Sequence, residues 1–206
     1  MSTGRFITLE GGEGAGKSSQ IAPLAAALEA DGHTVCVTRE PGGTALGEAV
    51  RGVLMQEYAD SMPAMSELLL MFAARAAHLQ QVIEPALARG EWVLCDRFTD
   101  ASYAYQGDAR GLGAKAVATL EHLVQGARRP DRVLLFDLPV TVGLERATQR
   151  GQGNRFDRET LAFHEAVRRG YHARAAADPE RYRVIDAAQS VERVQQVLQQ
   201  AVRAWS

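Results

Sequence analysis

Cysteine is scarce: the 206 residues contain two, Cys36 and Cys95. They lie in separate apolar runs, VCV and VLC, so the sequence offers no disulfide framework and no zinc site, and two buried, reduced thiols are expected. An excess of one charge sign is also missing. The formal net charge of −2 argues against a nucleic-acid partner, because phosphate-backbone affinity needs a basic surface. No apolar run approaches membrane-spanning length, and the first residues read as a strand rather than a charged and then hydrophobic leader. A cytoplasmic protein with no membrane partner is therefore expected. There is no internal repeat, linker or low-complexity tract, and no guanine-reading N-K-x-D sequence.

What remains is 46% hydrophobic and 23% charged, the balance of a globular chain long enough to bury a substantial core. One domain over residues 1–206 is expected, with a small lid over about 146–158. Short runs rich in Val, Ile and Leu at 6–9, 34–38, 92–96, 133–137 and 182–185 alternate with helical patterns at 17–31, 45–56, 65–89, 114–126, 140–150, 157–177 and 190–205. None of the short runs alternates in polarity. They read as strands buried on both faces, so the pattern predicts an α/β three-layer sandwich with a five-stranded parallel sheet and its site at the strands' C-terminal ends.

The first of those ends carries the most specific signal. FITLEGGEGAGKSS, residues 6–19, is a strand, a glycine-rich turn and the start of a helix. Gly11 to Gly16 followed by Lys17 and Ser18 fits G-x-x-x-x-G-K-[ST], a loop whose backbone N–H groups surround phosphate. Lys17 is expected on the β- and γ-phosphates and the Ser18 hydroxyl on Mg²⁺. The protein is thus expected to bind a nucleoside triphosphate.

The other strand ends add candidates. Arg39, in TREPGGT, is placed to fork onto a phosphate, although an ion pair with Glu40 is an alternative. Asp96 is placed to orient Mg²⁺ or its waters, and Arg97 faces phosphate. Ser102, Tyr105 and Gln106 share one helical face and offer hydroxyls, a ring and an amide. Phe72 and Arg75 share another, where Phe72 is either core or a stacking platform. Asp137 could face the site or cap the next helix. Arg146, Arg150, Arg155 and Arg158 flank GQGN. Arg158 reads as solvated surface, whereas Arg150 and Arg155 suit a lid closing over transferring phosphates.

GGEGAGKS, TREPGGT at 38–44, FAAR at 72–75, DRFTDASYAYQG at 96–107 and the arginine lid at 146–155 together resemble the thymidylate kinases, P-loop nucleoside-monophosphate kinases that make dTDP from dTMP and ATP. The resemblance spans the whole chain and implies roles by position. Gly11, Gly12, Glu13, Gly14, Ala15, Gly16, Lys17, Ser18 and Ser19 would hold ATP phosphates, and Arg146 would lie by adenine. Phe72 would stack on thymine, while Arg75, Ser102 and Gln106 would bond its edge. Tyr105 would sit against the deoxyribose, Arg39 and Arg97 would hold the acceptor phosphate, and Glu13 would approach the 3′-hydroxyl and the metal-water shell. Ser18 and Asp96 would serve Mg²⁺. With Gly14 and Ala15 where some relatives carry a loop arginine, the catalytic cation would come from the lid, from Arg150, although Thr148 stands where related lids have another arginine. A homodimer is implied too. The rival readings are a kinase of another small acceptor and a nucleotide-hydrolysing switch.

Overall fold

A computed structural model describes residues 4–149, 151 and 155–205. Five strands, β1 (Phe6–Gly11), β2 (Val35–Arg39), β3 (Trp92–Asp96), β4 (Arg132–Asp137) and β5 (Tyr182–Asp186), form one parallel sheet in the order β2-β3-β1-β4-β5. Its central strands have side chains buried on both faces because helices cover both. On β1, Ile7 and Leu9 join one layer with Leu94, Leu134, Phe136 and Ile185, while Phe6 joins the other with Val93 and Cys95. At the sheet edges the expectation of two buried faces fails. Val37 on β2 is 49% exposed and Val184 on β5 is 46% exposed, since an edge strand has a neighbour on one side only.

Helices α1 (Lys17–Ala30) and α9 (Val191–Arg203) pack together against one face. The others are α2 (Ala45–Met55), α3 (Ala64–His78), α4 (Glu84–Ala88), α5 (Thr99–Ser102), α6 (Gly113–Gln125), α7 (Val140–Gln149) and α8 (Leu161–Ala177). The single helix expected over 65–89 is instead α3, a π turn at Leu79–Ile83, and α4. Pro85 lacks an N–H and its ring crowds the carbonyl four residues back, so a wider turn just before it relieves both problems. The expected helix at 157–177 divides into a 3₁₀ turn, Arg155–Arg158, and α8, whose first turn is capped by Thr160 accepting from the Phe163 N–H.

β1 sits where the chain's crossings reverse direction, between β3 and β4. The loop leaving it opens into the crevice where α/β sheets place their ligands. Cys95 is fully buried and Cys36 only partly so, with burial pushing both thiols up, Cys95 the further. Among the described residues no helix is long and apolar enough to cross a membrane.

Candidate active site

The loop after β1 is shaped by positive φ at Gly11, Gly14 and Gly16. Gly14 also admits no side chain: a Cβ there would stand 1.8 Å from the Gly143 carbonyl oxygen on α7. Loop and α7 are therefore in direct backbone contact. Lys17, one of only two lysines in the chain, is buried at the start of α1, and its ammonium donates to the Gly11 and Gly12 carbonyls at 2.9 and 3.1 Å. Burial first, and then Arg97, bring its pKa down to about 8. This is a cation held in readiness for an anion.

A cleft of about 370 Å³ faces the loop and is lined by Gly14, Ala15, Gly16, Lys17, Ser18, Arg39, Asp96 and Arg97. Ser19, on the first turn of α1, and Arg146 line the adjoining hollow, where Arg146 donates to the Ala187 carbonyl at 2.8 Å. Asp96 ends β3 with its Oδ1 buried and without a protein partner among the described residues. That orphaned acceptor beside Ser18 and Lys17 fits a hydrated Mg²⁺, which uses few protein ligands.

Arg97 follows in the left-handed backbone region, φ 69°, rare for a side chain this large. Three bonds hold it there. Its guanidinium donates to the Gly11 carbonyl at 2.8 Å, the Tyr171 hydroxyl at 3.1 Å and Glu13 at 2.7 Å, with the Tyr105 ring 5.0 Å away. Glu13 also accepts from the Tyr105 hydroxyl at 2.9 Å. Burial would raise its pKa, but Arg97, Lys17 and that hydroxyl outweigh burial and keep it low.

Next to the cleft lies a cavity of about 110 Å³ that shares Glu13, Glu40, Arg51 and Arg97 with it. Arg75, Ser102, Tyr105 and Gln106 line this cavity. A π-helical stretch, Tyr103–Ala109, continues α5 and carries two of them. Arg75 is 2% exposed and donates to Glu40 at 2.7 Å and to Ser102 Oγ at 3.1 Å, while its Nη1 has no protein partner among the described residues. Glu40 is oriented in turn by His78 Nδ1 at 2.9 Å, and His78 Nε2 is 2.6 Å from Thr38 Oγ1. Gln106 donates its amide to Glu67 at 2.7 Å.

Other expected residues have partners of their own. Phe72 does not line the cavity. It is buried with Leu68, Tyr103 and Val117, its ring 4.5 Å beneath the Arg75 guanidinium, and Met71 and Phe156 take the cavity wall. Arg39 pairs with Glu48 on α2 rather than Glu40, through two bonds of 2.9 and 3.0 Å in an exposed position. Arg155 donates to the Leu54 carbonyl at 3.1 Å and to Glu67 at 2.7 Å. Asp137 pairs with Arg168 and His172 of α8, and the Arg168 bonds hold its carboxyl low. Arg158 forms an exposed pair with Glu57. Arg150 lies outside the described residues.

One cation escaped the sequence reading. Arg51, on α2, lines both cleft and cavity and donates to the Pro41 carbonyl at 3.1 Å. Burial, and then the Arg39 charge, lower its pKa. Nothing in the local pattern around Arg51 marks it, because it reaches the site only through the packing of α2 beneath the turn after β2.

A phosphate loop at the switch point of a parallel sheet, facing a second, largely apolar cavity with a few polar groups across shared arginines, defines a P-loop phosphotransferase with a separate acceptor site. Comparison with known proteins is specific. The Thymidylate kinase family profile matches residues 9–198. The chain is 57% identical to the thymidylate kinase of Alcanivorax borkumensis over 98% of its own length and 99% of that protein's. It is 61% identical to that of Pseudomonas putida over 94% and 92%. The chain belongs to the thymidylate kinase family.

Proposed function

We propose that the chain, as a single kinase domain, transfers the γ-phosphoryl group of ATP to dTMP and releases dTDP. The observation that carries this reading is the pair of joined sites: a phosphate-loop cleft and a base-sized, mostly apolar cavity with a few convergent polar groups, which share Glu13, Glu40, Arg51 and Arg97. ATP would lie along Gly11, Gly12, Glu13, Gly14, Ala15, Gly16, Lys17, Ser18 and Ser19, with its adenine by Arg146. The thymine edge would meet Arg75, Ser102 and Gln106. Tyr105, on the cavity wall, would flank the deoxyribose and disfavour a 2′-hydroxyl, and Glu13 would approach the 3′-hydroxyl. Mg²⁺ would be held near Ser18 and Asp96 and would supply positive charge to the phosphates.

The acceptor is a phosphate monoester with a second pKa near 6, so its oxygen is already ionised and no general base is needed. The protein's work is to align two anions that repel each other and surround them with cations. Arg51 and Arg97 stand at the junction, Lys17 and Arg39 line the cleft beside it, and Arg150 would come from the lid.

We also infer a homodimer. Met65 and Leu69 on α3 are 44% and 50% exposed, and Leu123 on the adjoining α6 is 76% exposed, an apolar face suited to a second copy.

The test is to incubate the protein with Mg-ATP and each nucleoside monophosphate in turn and separate the products. Formation of dTDP well ahead of dUDP, with CMP, AMP and GMP untouched, supports the reading. ATP consumed equally without acceptor overturns it.

A further inference from the structure

Glu67 is a carboxylate with 0% exposure, and three side chains converge on it. Gln106 donates to Oε1 at 2.7 Å and Arg110 Nε reaches the same oxygen at 3.4 Å, while Arg155 Nη2 and Arg110 Nη2 lie 2.7 and 3.3 Å from Oε2. A carboxylate paired with two guanidiniums can only accept. The Gln106 atom beside it must therefore be the NH₂ group, and the carbonyl oxygen is what remains for the cavity that Gln106 lines. On the same cavity, Arg75 has a buried Nη1 with no partner among the described residues. The wall thus offers a donor from Arg75 and an acceptor from Gln106.

That order complements one pyrimidine edge and opposes the other. Thymine and uracil present a carbonyl at C4 and an N–H at N3. Cytosine presents an amino group and a bare nitrogen, so both pairings would be donor against donor or acceptor against acceptor, leaving buried polar groups unpaired.

We propose that Glu67 is a specificity-determining positioning residue, which locks the Gln106 amide with its carbonyl toward the base and so excludes cytosine nucleotides. The inference rests on the dTMP reading above and adds a residue that touches no substrate.

The variant Glu67→Gln tests it with little change of volume. Arg155 and Arg110 are donors only and their shorter contacts are to Oε2, so they claim the new amide's oxygen there and the long Arg110 Nε bond to Oε1 is given up. Its NH₂ then faces Gln106, which must turn its own carbonyl inward and its NH₂ to the cavity. The measurement is kcat/KM for dTMP and for 5-methyl-dCMP, which differs from dTMP only at the C4 and N3 edge. The dTMP-over-5-methyl-dCMP ratio should fall roughly tenfold or more, with KM for ATP unchanged. A fall of both substrates by one common factor overturns the proposal and leaves a structural role. Wild-type protein that does not phosphorylate dTMP overturns the underlying reading instead.

If Glu67→Gln folds poorly, the wild-type Gln106 side-chain amide is followed by ¹⁵N NMR, assigned with Gln106→Leu. An NH₂ protected from exchange and unmoved by dTMP supports the lock. An NH₂ that loses protection when dTMP binds overturns it.

Discussion

Glu10 and Lys17 show how burial sets the state of single groups around the loop. Glu10 is fully buried on β1 and accepts from the Phe98 N–H at 2.7 Å and from the Tyr171 hydroxyl at 2.9 Å. Burial, and then the Asp100 charge, raise its pKa from 4.5 to about 8. Between those values the folded state keeps a proton that the unfolded chain releases. The stabilisation is complete below pH 4.5 and is lost as pH rises through about 8. Glu10→Gln, which mimics the protonated form, should flatten the decline in thermal midpoint between pH 5 and 8 relative to wild type. For Lys17 the burial runs the other way, because a charged ammonium is disfavoured in the fold. Lys17→Ala should therefore lower kcat by ~10²–10³-fold while leaving the melting temperature no lower, as steady-state assay and calorimetry would show. Normal turnover would remove Lys17 from the chemistry.

Contacts between elements decide how these groups meet. A Cβ on Gly143 would stand 2.5 Å from the Glu13 carbonyl, so α7 and the phosphate loop tolerate no side chain between them. Gly143→Ala should push the two apart and raise KM for ATP by about tenfold, with a smaller effect on KM for dTMP, as substrate-dependence curves would reveal. At the start of α2, Thr44 Oγ1 accepts from the Gly47 N–H at 2.9 Å. Thr44→Ala should cost about 1 kcal/mol in denaturant unfolding. The same turn brings Glu48 to Arg39 and Arg51 to the cavity, so KM for dTMP should rise with it.

For the whole molecule, the exposed apolar side chains of α3 and α6 give the assembly its test. Leu69→Glu should yield a monomer in sedimentation experiments if those helices form the dimer face. A dimer that persists would place the contact elsewhere. The fold itself was legible at this scale, since five apolar runs alternating with helical patterns allow few arrangements other than a parallel sheet with helices on both faces. The edge exposure of Val37 and Val184 was not, because strand order depends on crossings that no local pattern records.

The phosphate loop, the strand and helix alternation, and the shared faces of Ser102, Tyr105 and Gln106 and of Phe72 and Arg75 were legible in the residue order alone, because spacing along one chain segment carries each of these. The partners of these side chains follow from packing. Arg39 finds Glu48, Arg155 finds Glu67, Arg75 finds Glu40, and Arg51 arrives at the junction of the two sites. The physical reason is that a charged side chain goes to whichever opposite charge or carbonyl the packing leaves within reach. That choice is made across elements far apart in sequence, where composition and periodicity have nothing to say.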